Sequence, residues 1–390
     1  MLPYWRLSGF YFAYFALLGG VAPFLALYFH HLGYSAARIG ELVAIPMLMR
    51  CLAPNLWGWL GDVTGKRLLI VRLGALFTAL AFTGIFYRQD YLWLALIMAL
   101  HSFFWHAVLP QFEAITLSHL GAQSARYSLV RLWGSVGFIA TVVGLGLVLQ
   151  VLSLDVYPIA MLGIMLGIFL CSLIVPAAPG SQAQAKAHNA DGFLGLLRRP
   201  GVLAFFLCAG LMQFSHGPYY TFLTLHLEAL GYSRGLIGLL WALGVVAEIL
   251  LFLVMAKVLA RFTLKQLLVS SLLLAALRWL LLGTLADFLG ALLFAQLLHA
   301  ATFGCFHVAA IHFIQRSFNE RLQGQGQALY ATVSGMGGAL GALYAGYSWN
   351  SLGAFWTFAI GGLAALLAAV IVLRWLPAAL ADSAQSRTLG

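Results

Sequence analysis

Apolar stretches of about 18 residues or more recur from one end of this chain to the other, with no room for a sizeable water-soluble domain between them. Each is long enough to cross a hydrocarbon core of about 30 Å as a helix. Helix is the only state open to such a stretch, because an unpaired strand in lipid leaves its backbone polar groups without partners. Composition agrees: 63% of the 390 residues are apolar and 8% charged, against about a quarter charged in an ordinary soluble domain. The outer surface therefore faces lipid.

Gly, Pro and charged clusters punctuate the chain into twelve expected spans near 7–30, 37–60, 68–87, 91–118, 128–152, 156–177, 202–228, 235–258, 265–286, 289–315, 324–349 and 353–375. Lys and Arg orient them. With a cytoplasmic N-terminus, Arg6, Lys66, Arg67, Arg126, Lys186, Arg198, Arg199, Lys257, Arg261, Lys265, Arg316, Arg321, Arg374 and Arg387 fall inside. Only Arg38, Arg88 and Arg234 fall outside, so both termini are expected in the cytoplasm. The net charge of +10 follows this topology and does not call for a nucleic-acid partner. Expected domains are a six-helix bundle over 1–177, a flexible cytoplasmic linker over 178–200, a second bundle over 201–376 and a tail over 377–390. The four cysteines lie within apolar segments and lack metal-ligand spacing, and the N-terminal segment has no leader cleavage site, so it is expected to stay as the first helix.

An internal repeat supports two like-oriented halves. Shifted by 198 residues, FLALYFHHLGYSAARIG (24–40) lies over FLTLHLEALGYSRGLIG (222–238), with nine of seventeen positions identical. Six spans per half preserve orientation, so the halves are expected to be related by an axis along the membrane normal. The same offset sets Arg50 over Glu248.

Charges inside spans carry the functional argument, since an ionised group at the bilayer centre costs at least about 2.5–3.5 kcal/mol. Arg50, Glu113, Arg131, Glu248 and Arg278 are such groups, and His216, His299 and His307 accompany them. Buried acid and base in both halves suit a proton-coupled site near the midplane. Tyr219 and Phe138 are expected to line the same cavity, and Arg72 to snorkel to the cytoplasmic surface. The loop GWLGDVTGKR (58–67) offers a gate, in which Asp62 pairs with a basic group in one conformation only.

That loop resembles the major facilitator signature G-x-L-A-D-R-x-G-R-K at Gly58, Leu60, Asp62, Gly65 and Lys66, with Arg67 just beyond and Val63 where the signature has arginine. YSLVRLWGSVGF (127–138), SHGPYYTF (215–222), GYSRGLIGLLWALGVVAEILLF (231–252) and LLHAATFGCFHVAA (297–310) narrow the likeness. Through them the chain resembles the 3-phenylpropionic acid transporter family, a relative of lactose permease and of the nucleoside–proton symporters. The resemblance implies an all-α integral membrane protein of the major facilitator fold in the cell inner membrane. Lactose permease has a glutamate and an arginine eighteen residues apart on spans four and five, which implies substrate contacts for Glu113 and Arg131. Its later glutamate, arginine and histidine imply roles for Glu248, Arg278 and His299. Thr302 stands where its proton-carrying glutamate would be, and Phe138 where its sugar-stacking tryptophan would be. The first departure weakens a copied proton route, the second a sugar substrate.

The resulting expectation is secondary transport, not enzyme chemistry: HExxH, CxxC and Walker loops are absent from the sequence. Substrate contacts are expected from Arg131, Glu113, Arg278, His299, His216, Tyr219 and Phe138. Proton coupling is expected from Glu248, Glu113, Arg278, His299 and Arg50, and gating from Gly58, Asp62, Gly65, Lys66 and Arg67. The expected cargo is a small organic solute such as an aromatic carboxylate, moved with protons by a monomer that needs no cofactor beyond the proton gradient. A sugar or nucleoside symporter, an uncoupled facilitator and an exporter of the same fold are the alternatives.

Overall fold

The pattern Leu-Gly-Tyr-Ser, present at 32–35 and 230–233, shows how the chain turns from one helix into the next. Gly33 and Gly231 adopt φ of 85° and 87°, a left-handed conformation that side chains disfavour. Tyr34 N–H donates to the Phe29 carbonyl at 3.2 Å and Gly33 N–H to the His30 carbonyl at 2.9 Å. Tyr232 to Leu227 at 3.0 Å and Gly231 to Glu228 at 2.9 Å repeat the pair 198 residues later. These are the two bonds of a Schellman cap. The serine that follows then starts the next helix: Ser35 Oγ accepts from Arg38 N–H at 3.5 Å and Ser233 Oγ from Leu236 N–H at 3.3 Å. The repeat is therefore structural, down to individual hydrogen bonds.

The computed structural model describes residues 2–177, 190–319 and 322–377. The described helices are α1 Tyr4–His31, α2 Ala36–Thr64, α3 Arg67–Phe82, α4 Tyr91–Leu120, α5 Tyr127–Val151, α6 Tyr157–Ile174, α7 Ala190–Leu197, α8 Pro200–Ser215, α9 Gly217–Ala229, α10 Arg234–Arg261, α11 Leu264–Thr284, α12 Leu289–Leu297, α13 Phe306–Ser317 and α14 Gln323–Trp375. A π-helical turn, Ala300–Cys305, joins α12 to α13. No strand occurs among the described residues. Nine helical segments among them are long and apolar enough to cross a membrane. Two are double-length. Tyr91–Val151 spans 61 residues and bends through the 3-10 segment Gly121–Arg126, and Gln323–Trp375 spans 53 residues and breaks at Gly353, φ 83°. The 29-residue α2 is not among the nine; it carries Arg38, Glu41, Arg50 and Asp62.

Lys186, Arg321, Arg387, the first part of the expected linker and nearly all of the tail lie outside the described residues. The rest of that linker is partly helical, as α7, whose Phe193 ring meets Phe318 at 5.9 Å. The chain divides into two units, Met1–Ala185 with Thr221–Ala242, and Lys186–Tyr220 with Leu243–Gly390. Chain order alone would set 221–242 in the second half. Its place in the first unit follows from contacts with α5. Arg234 Nη1 donates to the Leu149 carbonyl at 2.8 Å, Gly235 N–H donates to Gln150 Oε1 at 3.1 Å, and Arg234 pairs with Glu228 at 2.7 Å. One C-terminal carbonyl of α5 and one of its side chains are thus satisfied at the N-terminus of α10, while Glu228 of α9 neutralises the arginine.

Within the first unit α1 packs on α5 and α6, and α4 on α2 and α3. Within the second, α14 packs on α8 and α11. The glycine run of α14 makes the α8 contact possible: a Cβ at Gly337 would lie 2.3 Å from the Gly210 carbonyl oxygen. Arg72 turns to the end of a neighbouring helix. Its guanidinium donates to the carbonyls of Ser172, Leu173 and Val175, each at 3.2 Å, closing the C-terminal end of α6. Lys265 does the same for α14, donating to Leu373 at 2.9 Å and Leu376 at 2.8 Å.

Candidate functional site

Two of the predicted site residues sit where spanning helices lose their regularity. In the second unit, α8 ends at Ser215 and α9 begins at Gly217. His216 occupies the break. Its N–H turns to the Gln213 carbonyl at 3.2 Å, and its ring Nδ1 lies 2.8 Å from the Met212 carbonyl that a continuous helix would have matched with the backbone. His299 precedes the π-helical turn Ala300–Cys305. Irregular turns of this kind are common at functional sites, and interrupted helices build the binding sites of many transporters.

Arg278 joins these two points. Its side chain is fully buried. Nη1 donates to His299 Nδ1 and to Thr302 Oγ1, and Nη2 to Gln296 Oε1, all at 3.2 Å. The guanidinium lies 4.1 Å from the Tyr219 ring centroid and 4.9 Å from that of Trp279. All three hydrogen-bond acceptors are uncharged groups, and no carboxylate pairs with Arg278 among the described residues. Glu248 instead approaches His299, Oε2 to Nε2, at 3.8 Å. A guanidinium can only donate, so His299 Nδ1 accepts and its proton sits on Nε2, toward Glu248. Phe303 stacks on the imidazole at 5.3 Å. Arg278, His299, Glu248, His216 and Tyr219 therefore form one network, with Thr302, Gln296 and Trp279 added to it. Gln296 and Trp279 were silent in the sequence, where a Gln or Trp in an apolar helix gives no signal of its own. Thr302 was visible as the residue replacing an acid.

The first unit holds a second constellation. Tyr127 OH donates to Glu113 at 3.1 Å, and Arg131 stacks over Phe15 at 3.7 Å and over Tyr11 at 5.8 Å. No ion pair within 4.0 Å joins Glu113 to Arg131 among the described residues. Phe138 is buried, and its backbone meets α1 closely, 2.6 Å from where a Cβ of Gly19 would be. Arg50 is exposed on α2, in no ion pair among the described residues. At the gate loop, Asp62 pairs with Arg67, and Arg67 also donates to Gln111 Oε1 at 2.9 Å. Gln111 in turn donates to the Trp57 carbonyl at 3.1 Å. Arg67 is thus the basic partner of Asp62, with Val63 beside it where the signature has arginine. Gly65 caps α2 in a left-handed conformation, φ 66°, whereas Gly58 has open space around it. Beside this loop lies a cavity of about 280 Å³, lined by Lys66, Arg67, Ala114 and Ser118 among others. No cluster of His, Cys, Asp or Glu among the described residues could hold a metal ion.

The sequence profile of the MFS_1 like family matches residues 4–360. The chain belongs to that family. As a major facilitator protein of this family it is 30% identical, over 91% of its own length and 94% of the relative's, to the probable 3-phenylpropionic acid transporter of Escherichia coli K12. It is also 27% identical to the maltose permease of Geobacillus stearothermophilus, over 87% and 86% of the two chains. The nucleoside transporter NupG shares its fold, with a TM-score of 0.86 over 96% of this chain and 100% of that one at 17% identity. A peptide transporter of the POT type follows the same fold at a TM-score of 0.74, 15% identity, over 95% and 93%. This family member is accordingly a multi-pass membrane transporter for a small molecule, and not an enzyme.

Proposed function

We propose that the protein is a proton-coupled symporter that takes up a small aromatic carboxylate of the 3-phenylpropionate kind across the cell inner membrane by alternating access. Twelve spans with both termini in the cytoplasm suit the architecture. Dividing the two double-length segments and adding α2 to the nine supports that number, and the Lys and Arg bias supports the orientation.

The observation that carries the reading is Arg278, a buried guanidinium whose hydrogen-bond partners are all neutral. A buried cation with no anionic charge bonded to it directly is costly. A carboxylate on the solute supplies that charge, and a guanidinium binds it through two parallel hydrogen bonds. The rings of Tyr219 and Trp279 against it, and of Phe303 against His299, suit an aromatic body.

The same geometry supports coupling. While Arg278 donates to His299 Nδ1, the lone pair of that nitrogen is occupied. A solute carboxylate that draws the guanidinium away frees Nδ1 to take a proton, and Glu248, 3.8 Å from Nε2, balances the imidazolium. Anion and proton then enter together.

The test is uptake of radiolabelled 3-phenylpropionate into proteoliposomes with an acid exterior. Accumulation above the external concentration is expected for the wild type. Glu248→Gln is expected to abolish it while leaving exchange of internal for external solute. Equilibration without accumulation in the wild type would reduce the protein to a facilitator.

A further inference from the structure

His216 has one nitrogen too many for a purely structural residue. Its Nδ1 faces the Met212 carbonyl at 2.8 Å, and a carbonyl only accepts, so the proton is on Nδ1. Ser215 Oγ lies 3.5 Å from the same nitrogen, and the ring meets Tyr220, stacked at 5.9 Å, and Trp279, edge to face at 4.8 Å, none of them an anion. The imidazole is therefore neutral, and Nε2 presents a bare lone pair. That atom is buried and has no hydrogen-bond partner among the described residues. The break between α8 and α9 holds the ring in this orientation, because Nδ1 has taken over the carbonyl that the backbone N–H of residue 216 would otherwise use. The helix is interrupted in order to aim an acceptor.

Two unmatched donors lie beside it. Arg278 Nε and Trp279 Nε1 are likewise buried without partners among the described residues. Arg278 and His216 both lie against the Trp279 ring, the guanidinium at 4.9 Å and the imidazole at 4.8 Å, so the cation and the acceptor are less than about 10 Å apart. One small molecule can reach both.

We infer that His216 Nε2 is the hydrogen-bond acceptor for a donor on the solute, so that the preferred cargo is a carboxylate that also carries a hydroxyl. The inference rests on the carboxylate site at Arg278 proposed above and deepens it. The carboxylate takes the Arg278 donors, and the hydroxyl donates to His216. A hydroxyl fits better than an ammonium, since it brings no second positive charge next to Arg278, and it can also accept from Trp279 Nε1. Solute reaches these atoms when their surroundings move, which the break at 215–217 and the π-helical turn at 300–305 permit.

The experiment is calorimetric binding to the full-length purified protein of 3-phenylpropionate and of its 3-hydroxyphenyl and 4-hydroxyphenyl counterparts. At least one hydroxylated acid is expected to bind the wild type about tenfold more tightly than the parent, the worth of one buried hydrogen bond. In His216→Phe, which keeps a ring of similar size, that ratio is expected to fall to about one; His216→Leu provides the same readout should the first variant not fold. Equal affinities for all three acids in the wild type, or an advantage that survives both substitutions, would overturn the assignment of His216 and leave the carboxylate site standing. Failure of every acid to bind the wild type would instead overturn the carboxylate reading beneath it.

Discussion

Thr302→Glu is the substitution most informative about Arg278. The Thr302 hydroxyl lies 3.2 Å from the guanidinium, so a carboxylate from this position reaches the cation with little backbone movement. A guanidinium and a carboxylate at about 4 Å attract by about 4 kcal/mol at the effective dielectric that suits proteins. Desolvating the new acid offsets part of that, and a net gain of about 2.7 kcal/mol is a reasonable remainder. The internal carboxylate then competes with the solute's, and affinity for 3-phenylpropionate is expected to fall about 100-fold. Thermal stability should rise at the same time, because the buried charge is now matched. Thr302→Gln separates bulk from charge, since it fills the same space without an anion and should retain most of the affinity. Isothermal titration on purified protein reads the affinities, and the fluorescence melting curve reads the stability. If Thr302→Glu binds the acid as tightly as the wild type, Arg278 is not its partner and the anionic-solute argument fails.

Other consequences follow from the same contacts. A Cβ at Gly217 would lie 2.2 Å from the Gly341 carbonyl carbon, where only backbone could yield; Gly217→Ala should cost about 1–3 kcal/mol and lower the melting temperature by about 5 °C, whereas Gly58→Ala, with nothing within 4 Å, should not change it. Gln150→Ala removes the acceptor of Gly235 N–H, and hydrogen exchange at that amide should quicken about tenfold while the amides of α3 remain as they were. Arg67→Ala releases Asp62 and Gln111 together and should slow solute exchange by about tenfold or more, while Lys66→Ala, which breaks neither contact, should stay within about twofold.

Much of the architecture was legible because lipid imposes it. Span ends fell within a few residues of the observed helices, since glycine and charge mark the ends of helices in a bilayer, and the 198-residue repeat returned as matching Schellman caps. The candidate site was legible in its charges and opaque in its wiring. Arg278, His299 and Glu248 stood out as polar groups in apolar helices, but neither spacing nor composition says that His299 stands between the other two. Glu113 and Arg131 have the spacing of a pair, yet each turns to an aromatic neighbour: a tyrosine hydroxyl for one and the face of Phe15 for the other. Rotamers decide such choices, and they depend on neighbours from other helices. The expected flexible linker is interrupted by α7, where Phe193 and the leucines around it give a short helix an apolar side to bury.

Arg72 and Lys265 show where the two repeats reach the same result by different residues. Val175 and Leu373, one carbonyl held by each cation, are 198 residues apart and so correspond, but the cations do not: Arg72 matches Ser270, and Lys265 matches Arg67. Each unit therefore has a strap of the same kind built from a cation at a non-corresponding position, from α3 to the end of α6 in one and from α11 to the end of α14 in the other. Each closing segment is thus held by a cation of its own unit, so removing one strap should leave the other in place.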